Sequence, residues 1–236
     1  MIRLISRPSE LFLDGSYFSG RINAACDAYG TGYDFCRLYR FGKGSGLIYN
    51  SSCVLCGDCD DSEEISDFIM INSPETVECP PSFGERLYLP SFEGRRRILF
   101  ERRILPDDDD IPEAASLMDM YDIVRDAFGN MEFDLWYADM SHRIRHGVSR
   151  AFMYHGVSCA CVDFVYEGAA YISQVATLSD ERGKGYAGKL LDMISRMLLN
   201  EGNIPRLWAF EELEGFYRKA GFVPIAEDCF YININK

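Results

Sequence analysis

Residues 175–190 are the part of the chain whose residue types and spacing point most directly to chemistry. The segment is Val-Ala-Thr-Leu-Ser-Asp-Glu-Arg-Gly-Lys-Gly-Tyr-Ala-Gly-Lys-Leu, so an apolar strand passes through a charged loop into a glycine-rich helix start. Backbone N–H groups in such a turn can approach an anion closely, and the helix dipole favours negative charge there. Arg182, Lys184 and Lys189 add local positive charge. The segment therefore predicts a site for a phosphate-bearing ligand.

Two widespread phosphate-binding motifs are similar to this loop but do not fit it. A Walker A loop needs Ser or Thr after its Gly-Lys pair, whereas Gly183-Lys184 is followed by another glycine. Gly183, Gly185 and Gly188 match the dinucleotide fingerprint G-x-G-x-x-G, and Glu211 follows near the usual distance. That motif normally begins where its strand ends, and it belongs to a parallel sheet. Here a charged loop intervenes, hairpin turns precede it, and too little chain follows for a doubly wound sheet.

A third interpretation uses Arg182, Gly185 and Ala187 together as R-x-x-G-x-A. This pattern resembles the acyl-CoA pyrophosphate loop of the GNAT superfamily of N-acetyltransferases. Residues 216–222, Phe-Tyr-Arg-Lys-Ala-Gly-Phe, resemble a second motif of that family, in which an aromatic pair precedes a Gly-Phe helix stop. One predicted helix and one predicted strand separate the two motifs, as in the family. The resemblance covers the chain from about residue 96 onward.

The elements expected around the two motifs agree with this resemblance. From residue 95 the pattern predicts the order β-α-α-β-β-β-α-β-α-β-β, with a helix starting near residues 110–113 and two separate strands near 223–226 and 229–234. Short turns at 155–156 and 167–168 favour antiparallel hairpins. We therefore predict an α/β (α+β) fold of GNAT type, with a mixed, mainly antiparallel sheet flanked by helices.

A cluster of prolines and glycine between residues 80 and 94 divides the chain. We predict an N-terminal α+β region at 1–94 and a GNAT acetyltransferase domain at 95–236. In the first region, residues 35–41 and 46–55 are expected to form two strands around a glycine turn. One interpretation makes this region a degenerate half of the same fold.

The resemblance implies direct transfer of an acetyl group from acetyl-CoA to an amine. Backbone groups of Val175, Ala176 and Thr177 would then bind the pantetheine arm and polarise the thioester carbonyl. Tyr217 lies where the family has a general acid that protonates the leaving thiolate, and the competing interpretation makes it a core aromatic residue. The pyrophosphate would be held by the loop residues Arg182, Gly183, Lys184, Gly185, Tyr186 and Ala187.

Three consecutive positions, residues 210–212, bear on this interpretation. Phe210 stands where the family often has an Asn that contacts CoA, which puts one cofactor contact in doubt. The departure is the sequence feature that favours the alternative function, a non-catalytic acyl-CoA-binding or regulatory module. Glu211 and Glu212 are candidates for a group that accepts the proton of the amine, although acidic residues are also expected in a first helical turn.

In the family the acceptor lies over the first two helices of the domain. Here these helices carry Trp136, Tyr137 and Asp139, which we predict to be substrate-binding because aromatic and carboxylate groups suit a cationic amine. The alternative is that Trp136 belongs to the core and the acids form a solvated face. The sequence does not identify the acceptor beyond an amine of a small molecule or peptide.

Cysteine spacing suggests a second kind of site that we do not favour. Cys53, Cys56 and Cys59 have metal-ligand spacing, but no second pair completes a set, and thiols suit an apolar strand. We therefore predict no metal. Cys159 and Cys161 are likewise expected to be packed thiols rather than nucleophiles.

Composition limits the partners. The chain has 236 residues, with 24 Lys+Arg against 37 Asp+Glu and a net charge of −13. This acidity argues against nucleic-acid and anionic-membrane partners. No apolar stretch of about 18 residues occurs, and the first residues do not resemble a secretory signal. We expect a cytoplasmic monomer or homodimer whose partners are acetyl-CoA and an amine.

Overall fold

The computed structural model describes residues 1–58, 61–107, 110–129 and 131–236. The chain divides into two compact units, residues 1–98 with 226–236 and residues 99–225. The sequence-based division at 94/95 remains a prediction about domains. It differs from these units chiefly in residues 226–236, which lie in the first unit.

The first unit contains both helices and strands. Its elements are β1 (Arg3–Leu4), α1 (Tyr17–Tyr29), β2 (Cys36–Phe41), β3 (Lys43–Tyr49), β4 (Ser52–Asp58), α2 (Ser62–Asn72), β5 (Thr76–Cys79) and α3 (Pro81–Gly84). Strand β6 (Phe92–Glu101) continues from the first unit into the second.

A similar order recurs in the second unit. Its elements are β7 (Glu113–Ala114), α4 (Leu117–Phe128), α5 (Phe133–Arg145), β8 (Arg150–Tyr154), β9 (Ser158–Tyr166), β10 (Ala169–Thr177), α6 (Tyr186–Asn200), β11 (Ile204–Phe210) and α7 (Glu214–Lys219). Strand β12 (Val223–Asn233) begins in this unit and ends in the first.

The strands of the first unit follow the order β1-β2-β3-β4-β5-β12-β6. Strands β2, β3 and β4 form an antiparallel meander, β4 and β5 are parallel, and β12 runs antiparallel to β5. Apolar residues of these strands and of α2 pack into one buried cluster, which includes Leu55, Ile65 and Phe83. The amphipathic face of α2 thus supplies the cover that one face of the sheet needs.

Charged side chains are buried in the same unit. Arg97 donates hydrogen bonds to Glu78 (2.9 Å) and to both carboxylate oxygens of Asp228 (2.6 and 3.1 Å). Arg21 forms an ion pair with Glu78, and the Tyr17 hydroxyl donates to it at 3.3 Å. Burial by itself would raise the pKa of Glu78, but the two arginine charges outweigh it and hold that pKa below its usual value.

The strands of the second unit follow the order β6-β11-β10-β9-β8-β7. Strands β8, β9 and β10 form an antiparallel meander, whereas β10 and β11 are parallel because α6 connects them. Helices α4, α5 and α6 pack against these strands. The sheet is therefore mixed and mainly antiparallel, with helices beside it, and this confirms the predicted fold class.

Three element predictions are wrong. The stretch 46–55 belongs to two strands, because Asn50 adopts a left-handed conformation (φ 49°) in the turn between β3 and β4. Helix α4 starts at Leu117 rather than near 110–113, since Glu113–Ala114 pairs with β8 instead. The two strands predicted at 223–226 and 229–234 are one continuous strand, β12. Asp228 can lie inside this strand because its carboxylate is paired with the buried Arg97 and does not have to reach solvent through a turn.

Two of the three spaced cysteines, Cys53 and Cys56, are buried in β4. Cys53 and Cys56 lie an odd number of residues apart on β4, so their thiols point to opposite faces of the sheet. Burial raises the pKa of each to about 12. Cys59 lies outside the described residues. Among the residues that the structure describes, no group of three His, Cys, Asp or Glu side chains is arranged to hold a metal ion.

None of the helices in the described part of the chain combines the length and apolar character that a membrane crossing requires.

Candidate active site

Strands β10 and β11 separate after a short paired section. Their register covers only residues 169–171 of β10 and 204–206 of β11, although both strands continue to Thr177 and Phe210. A register shift on the β9 side lies between Ser173 and Ala176, where Gln174 has a positive φ of 50°. This bulge bends β10. Its last residues therefore have one edge that β11 does not cover.

A cavity of about 660 Å³ lies where the strands separate. Residues 175–177 of β10, the start of α6 and the helix α7 all contribute to its wall. The cavity is lined by Ala127, Phe128, Val175, Ala176, Thr177, Glu181, Arg182, Gly183, Gly185, Tyr186, Ala187, Gly188, Leu213, Phe216, Tyr217 and Lys219. The strand edge and the glycine loop thus face a single space.

The start of α6 presents unpaired backbone donors to this space. Gly183 and Gly185 have φ values of 79° and 88°, which side chains with a Cβ rarely adopt. Gly185 is the N-cap and has no side chain to cap the helix. Within the described ranges, the N–H groups of residues 183–188 donate to no protein acceptor. Such a set of donors at a helix N-terminus can bind an anion.

The cations around this loop all have acidic partners. Arg182 lies 3.7 Å from Asp126 and also donates to the Thr177 carbonyl at 3.1 Å. Lys184 pairs with Glu181 at 2.8 Å, and Lys189 with Asp110 at 3.0 Å. The hydrogen bond from Lys184 to Glu181 raises the lysine pKa. Because these pairs are exposed, each contributes little to stability, and a phosphate can compete for the cations.

Tyr217 closes the other side of the cavity. Its side chain is only 6% exposed and packs between Phe100 and Phe222, with ring centroids 5.5 and 6.2 Å away. Burial raises the pKa of Tyr217 to about 12, so the phenol keeps its proton at neutral pH. Among the described residues its hydroxyl has no hydrogen-bond partner. The side chain therefore places a protonated hydroxyl on the cavity that residues 175–177 of β10 also line.

Comparison with known proteins agrees with this geometry. Residues 149–224 match the family model of the acetyltransferase (GNAT) domain. The matching segment of the second unit, residues 149–224, is the GNAT domain. The match includes the strand meander, the glycine loop and both motifs on which the resemblance depended. A search of curated proteins found no significant match.

Solved structures share the fold. A GCN5-related N-acetyltransferase from Kribbella flavida has a TM-score of 0.63 and 16% identity, with 93% of this chain and 95% of that chain covered. One from Sphaerobacter thermophilus has a TM-score of 0.60 and 16% identity, with 98% and 94% covered. An acetyltransferase from the GNAT family from Colwellia psychrerythraea has a TM-score of 0.57 and 13% identity, with 98% of both chains covered. At these identities the likeness concerns the fold.

Most of the residues predicted to bind the cofactor come together in the GNAT domain. Val175, Ala176 and Thr177 line the cavity, as do all the predicted loop residues except Lys184. Their contacts with CoA stay a prediction. The exception, Lys184, forms an ion pair with Glu181 at 2.8 Å.

The residues predicted to bind the acceptor lie elsewhere. Trp136 is 7% exposed, and its Nε1 donates to the Gln174 side chain at 3.0 Å. The Tyr137 ring packs against Phe133 at 5.3 Å. Among the described residues that line the cavity, neither these two nor Asp139 occurs. Their role in acceptor binding remains a prediction.

Sequence reasoning missed several lining residues. Leu213 and Phe216 are exposed apolar residues three positions apart, a spacing that places them on one helical face. Lys219 is exposed and, among the described residues, has no ion-pair partner. The sequence did not predict that Lys219 lines the cavity, because residues two positions apart on a helix, such as Tyr217 and Lys219, do not share a face. Glu211 and Glu212 are exposed in a short 3-10 turn before α7.

Proposed function

We propose that the GNAT domain of this chain is an acetyl-CoA-dependent N-acetyltransferase that transfers the acetyl group directly to an amine of a small molecule or peptide. One observation carries the proposal. A single cavity brings together the open edge of β10, the unpaired N–H groups of the α6 start and the protonated hydroxyl of Tyr217. Binding, polarisation and proton donation are the three tasks that such a transfer requires.

The residues present fit CoA. Six consecutive N–H groups without protein acceptors, at residues 183–188, are suited to a pyrophosphate. The open edge of β10 offers strand donors and acceptors to an extended amide-bearing arm such as pantetheine. Arg182 borders both features, and Lys219, which has no ion-pair partner among the described residues, adds a cation to the cavity lining.

Acetyl-CoA supplies an acetyl group activated as a thioester, and its thiol leaves when the acetyl carbon bonds to the amine nitrogen. In our proposal, backbone N–H groups at residues 175–177 orient the carbonyl and favour negative charge on its oxygen. Tyr217 donates its hydroxyl proton to the departing sulfur. The proton that the amine loses restores the phenol by way of solvent, so the transfer leaves the protein unchanged.

The decisive experiment measures binding and turnover separately. Acetyl-CoA at about 100 times its Kd should stabilise the protein by about 2.7 kcal/mol, which a thermal melt detects. Free thiol should then appear only when an amine from a mixed panel is added. If CoA does not stabilise the protein, both acyl-CoA functions are rejected. If it stabilises the protein but no amine releases thiol, the result favours the non-catalytic acyl-CoA-binding module.

A further inference from the structure

Gln174 is held in an unfavourable backbone conformation beside the cavity. It is a non-glycine residue with φ of 50°, placed at the register shift of β10 immediately before Val175. A left-handed backbone conformation is unfavourable for a non-glycine residue and persists only where the surrounding structure determines it. Asn50, His155 and Glu167 also have positive φ, but they lie in turns between strands, where this conformation is expected. Gln174 lies inside strand β10, so its positive φ needs a specific cause.

Three contacts fix Gln174 in this conformation. Its side-chain oxygen accepts a hydrogen bond from Trp136 Nε1 at 3.0 Å, and its side-chain nitrogen lies 3.5 Å from Met140 Sδ. Its carbonyl accepts a weak hydrogen bond from the Cys159 thiol at 3.7 Å. Trp136 and Met140 lie four residues apart on α5 and are both buried, so they meet Gln174 from one rigid helix face.

Gln174 does not line the cavity, but the next three residues, 175–177, do. The direction of the peptide groups at Val175 and beyond depends on the dihedral angles of Gln174. Preorganised donors are effective only when they already point to the place where charge develops. A displacement of about 1 Å in such a site can cost about 100-fold in rate.

We propose that Gln174 and Trp136 form a clamp that positions the backbone of residues 175–177 for the thioester carbonyl. Both are positioning residues that act through the β10 backbone and do not touch the substrate. The inference rests on the proposed function. It gives Trp136 a task different from the acceptor contact that its sequence position suggested.

The first test reads the backbone directly and requires no amine. Trp136→Phe keeps an aromatic ring but removes the N–H donor, and Gln174→Met keeps length but removes the acceptor. Hydrogen exchange of the amides at residues 174–177 should be at least about threefold faster in either variant than in the original protein. Unchanged exchange at these amides would overturn the clamp, whether or not the protein proves to be an acetyltransferase.

The second test separates positioning from general loosening. Each variant should lower kcat about tenfold while the affinity for CoA, measured by thermal stabilisation, changes less than about twofold. Because the two side chains act as one unit, the double variant should be no worse than either single variant. Additive losses in the double variant, or a parallel loss of CoA affinity, would reject the clamp.

Tyr121→Phe is the matched control. The Tyr121 hydroxyl donates to the Met131 carbonyl at 2.6 Å, and its ring lies 5.6 Å from that of Trp136. The substitution therefore removes one hydrogen bond from the same helix pair without touching Gln174. Exchange at residues 174–177 should stay unchanged. If Tyr121→Phe accelerates it as much as Trp136→Phe does, loosening of the helices explains both results and the clamp is wrong.

Discussion

Both units contain a three-strand meander, a helix, a parallel strand and a short helix, yet the helix after the meander begins in opposite ways. At the start of α2, Asp61 accepts a hydrogen bond from the Glu64 N–H at 2.9 Å, and Glu63 and Glu64 lie in the first turn. The Glu64 carboxylate is itself engaged, since it accepts from the Ile2 N–H at 2.8 Å. The start of α6 has neither a capping side chain nor an acidic first turn.

The difference shows what a binding site requires of the same scaffold. An internal carboxylate cap satisfies the helix donors and places negative charge where a phosphate would have to lie. The first unit also buries its charges in the Arg97 network, whereas the GNAT domain leaves its strand edge and helix donors facing a cavity. At the helix that follows the meander, the first unit therefore satisfies its backbone donors with an internal cap, and the second unit leaves them facing the cavity.

The largest effect should come from the buried charges of the first unit. Arg97→Met leaves the buried Asp228 carboxylate without its cation, so unfolding free energy should fall by about 3–5 kcal/mol in denaturant titrations. Arg96→Met is the matched control, because Arg96 forms an exposed ion pair with Glu227 and should cost less than about 1 kcal/mol. Equal losses would show that burial of this network has no special role.

The next effect concerns the proton donor of the GNAT domain. Tyr217→Phe should lower turnover about 100-fold while stabilisation by CoA is retained, because only the donated proton is lost. Since burial raises the pKa of Tyr217 to about 12, turnover in the original protein should not decline as pH rises through 10, the ordinary tyrosine value. Tyr166→Phe, the same change on β9, should keep full turnover. Retained turnover in Tyr217→Phe would reject the acid role.

A smaller effect is expected at the glycine loop. Gly185→Val places a β-branched residue at φ 88°, so the loop must rearrange and CoA affinity should fall about tenfold. Gly30→Val in the first unit is the control, since Gly30 also has a positive φ (65°) and open space around it. Both variants should lose stability, and isothermal titration should show weaker CoA binding for Gly185→Val alone. Equal affinity in the two variants would contradict the loop's role.

Loss of the carboxylate cap should have a modest and purely structural effect. Asp61→Ala removes the acceptor for the Glu64 N–H, so the free energy of unfolding should fall by about 1 kcal/mol. Stabilisation by CoA should stay as it is in the unsubstituted protein. A gain of CoA binding at α2 would show that the two helix starts differ only in their caps, and would overturn the contrast between the units.

The smallest effect is a pH dependence. The folded-state pKa of Glu78 is held below its usual 4.5, so its contribution to stability is complete above that pH and is lost as pH falls below it. The raised pKa of Asp228, caused mainly by burial, partly offsets this loss. Denaturant titrations of Glu78→Gln and the original protein should give a stability gap that is constant at neutral pH and narrows in acid. A gap independent of pH would contradict this.

Local sequence signals were sufficient for the glycine loop and its helix. Gly183 and Gly185 occupy positions where positive φ is needed, and α6 begins at this loop as predicted. The short turns at 155–156 and 167–168 were equally informative, because their residues adopt positive φ between β8, β9 and β10. These features depend on neighbours in the chain, which is why sequence patterns revealed them.

Features that depend on distant partners were not predictable. Nothing in the run around Gln174 signals a bulge, because its cause is Trp136, nearly forty residues earlier in the chain. The acidic partner of Lys189 likewise lies far away at Asp110. Residues 227 and 228 suggested a turn because buried Arg97 could not be foreseen as a partner.

The course of strand β12 has a consequence for the order of synthesis. Residues 229–232 pair with β5, and Asp228 neutralises Arg97 on β6, so the first unit draws part of its sheet from the other end of the sequence. During translation the amino-terminal residues emerge early but lack this strand until residues 99–225 have also emerged. The first unit can therefore be completed only after residues 226–236 have been made, and the edge of β5 that pairs with β12 stays unpaired until then.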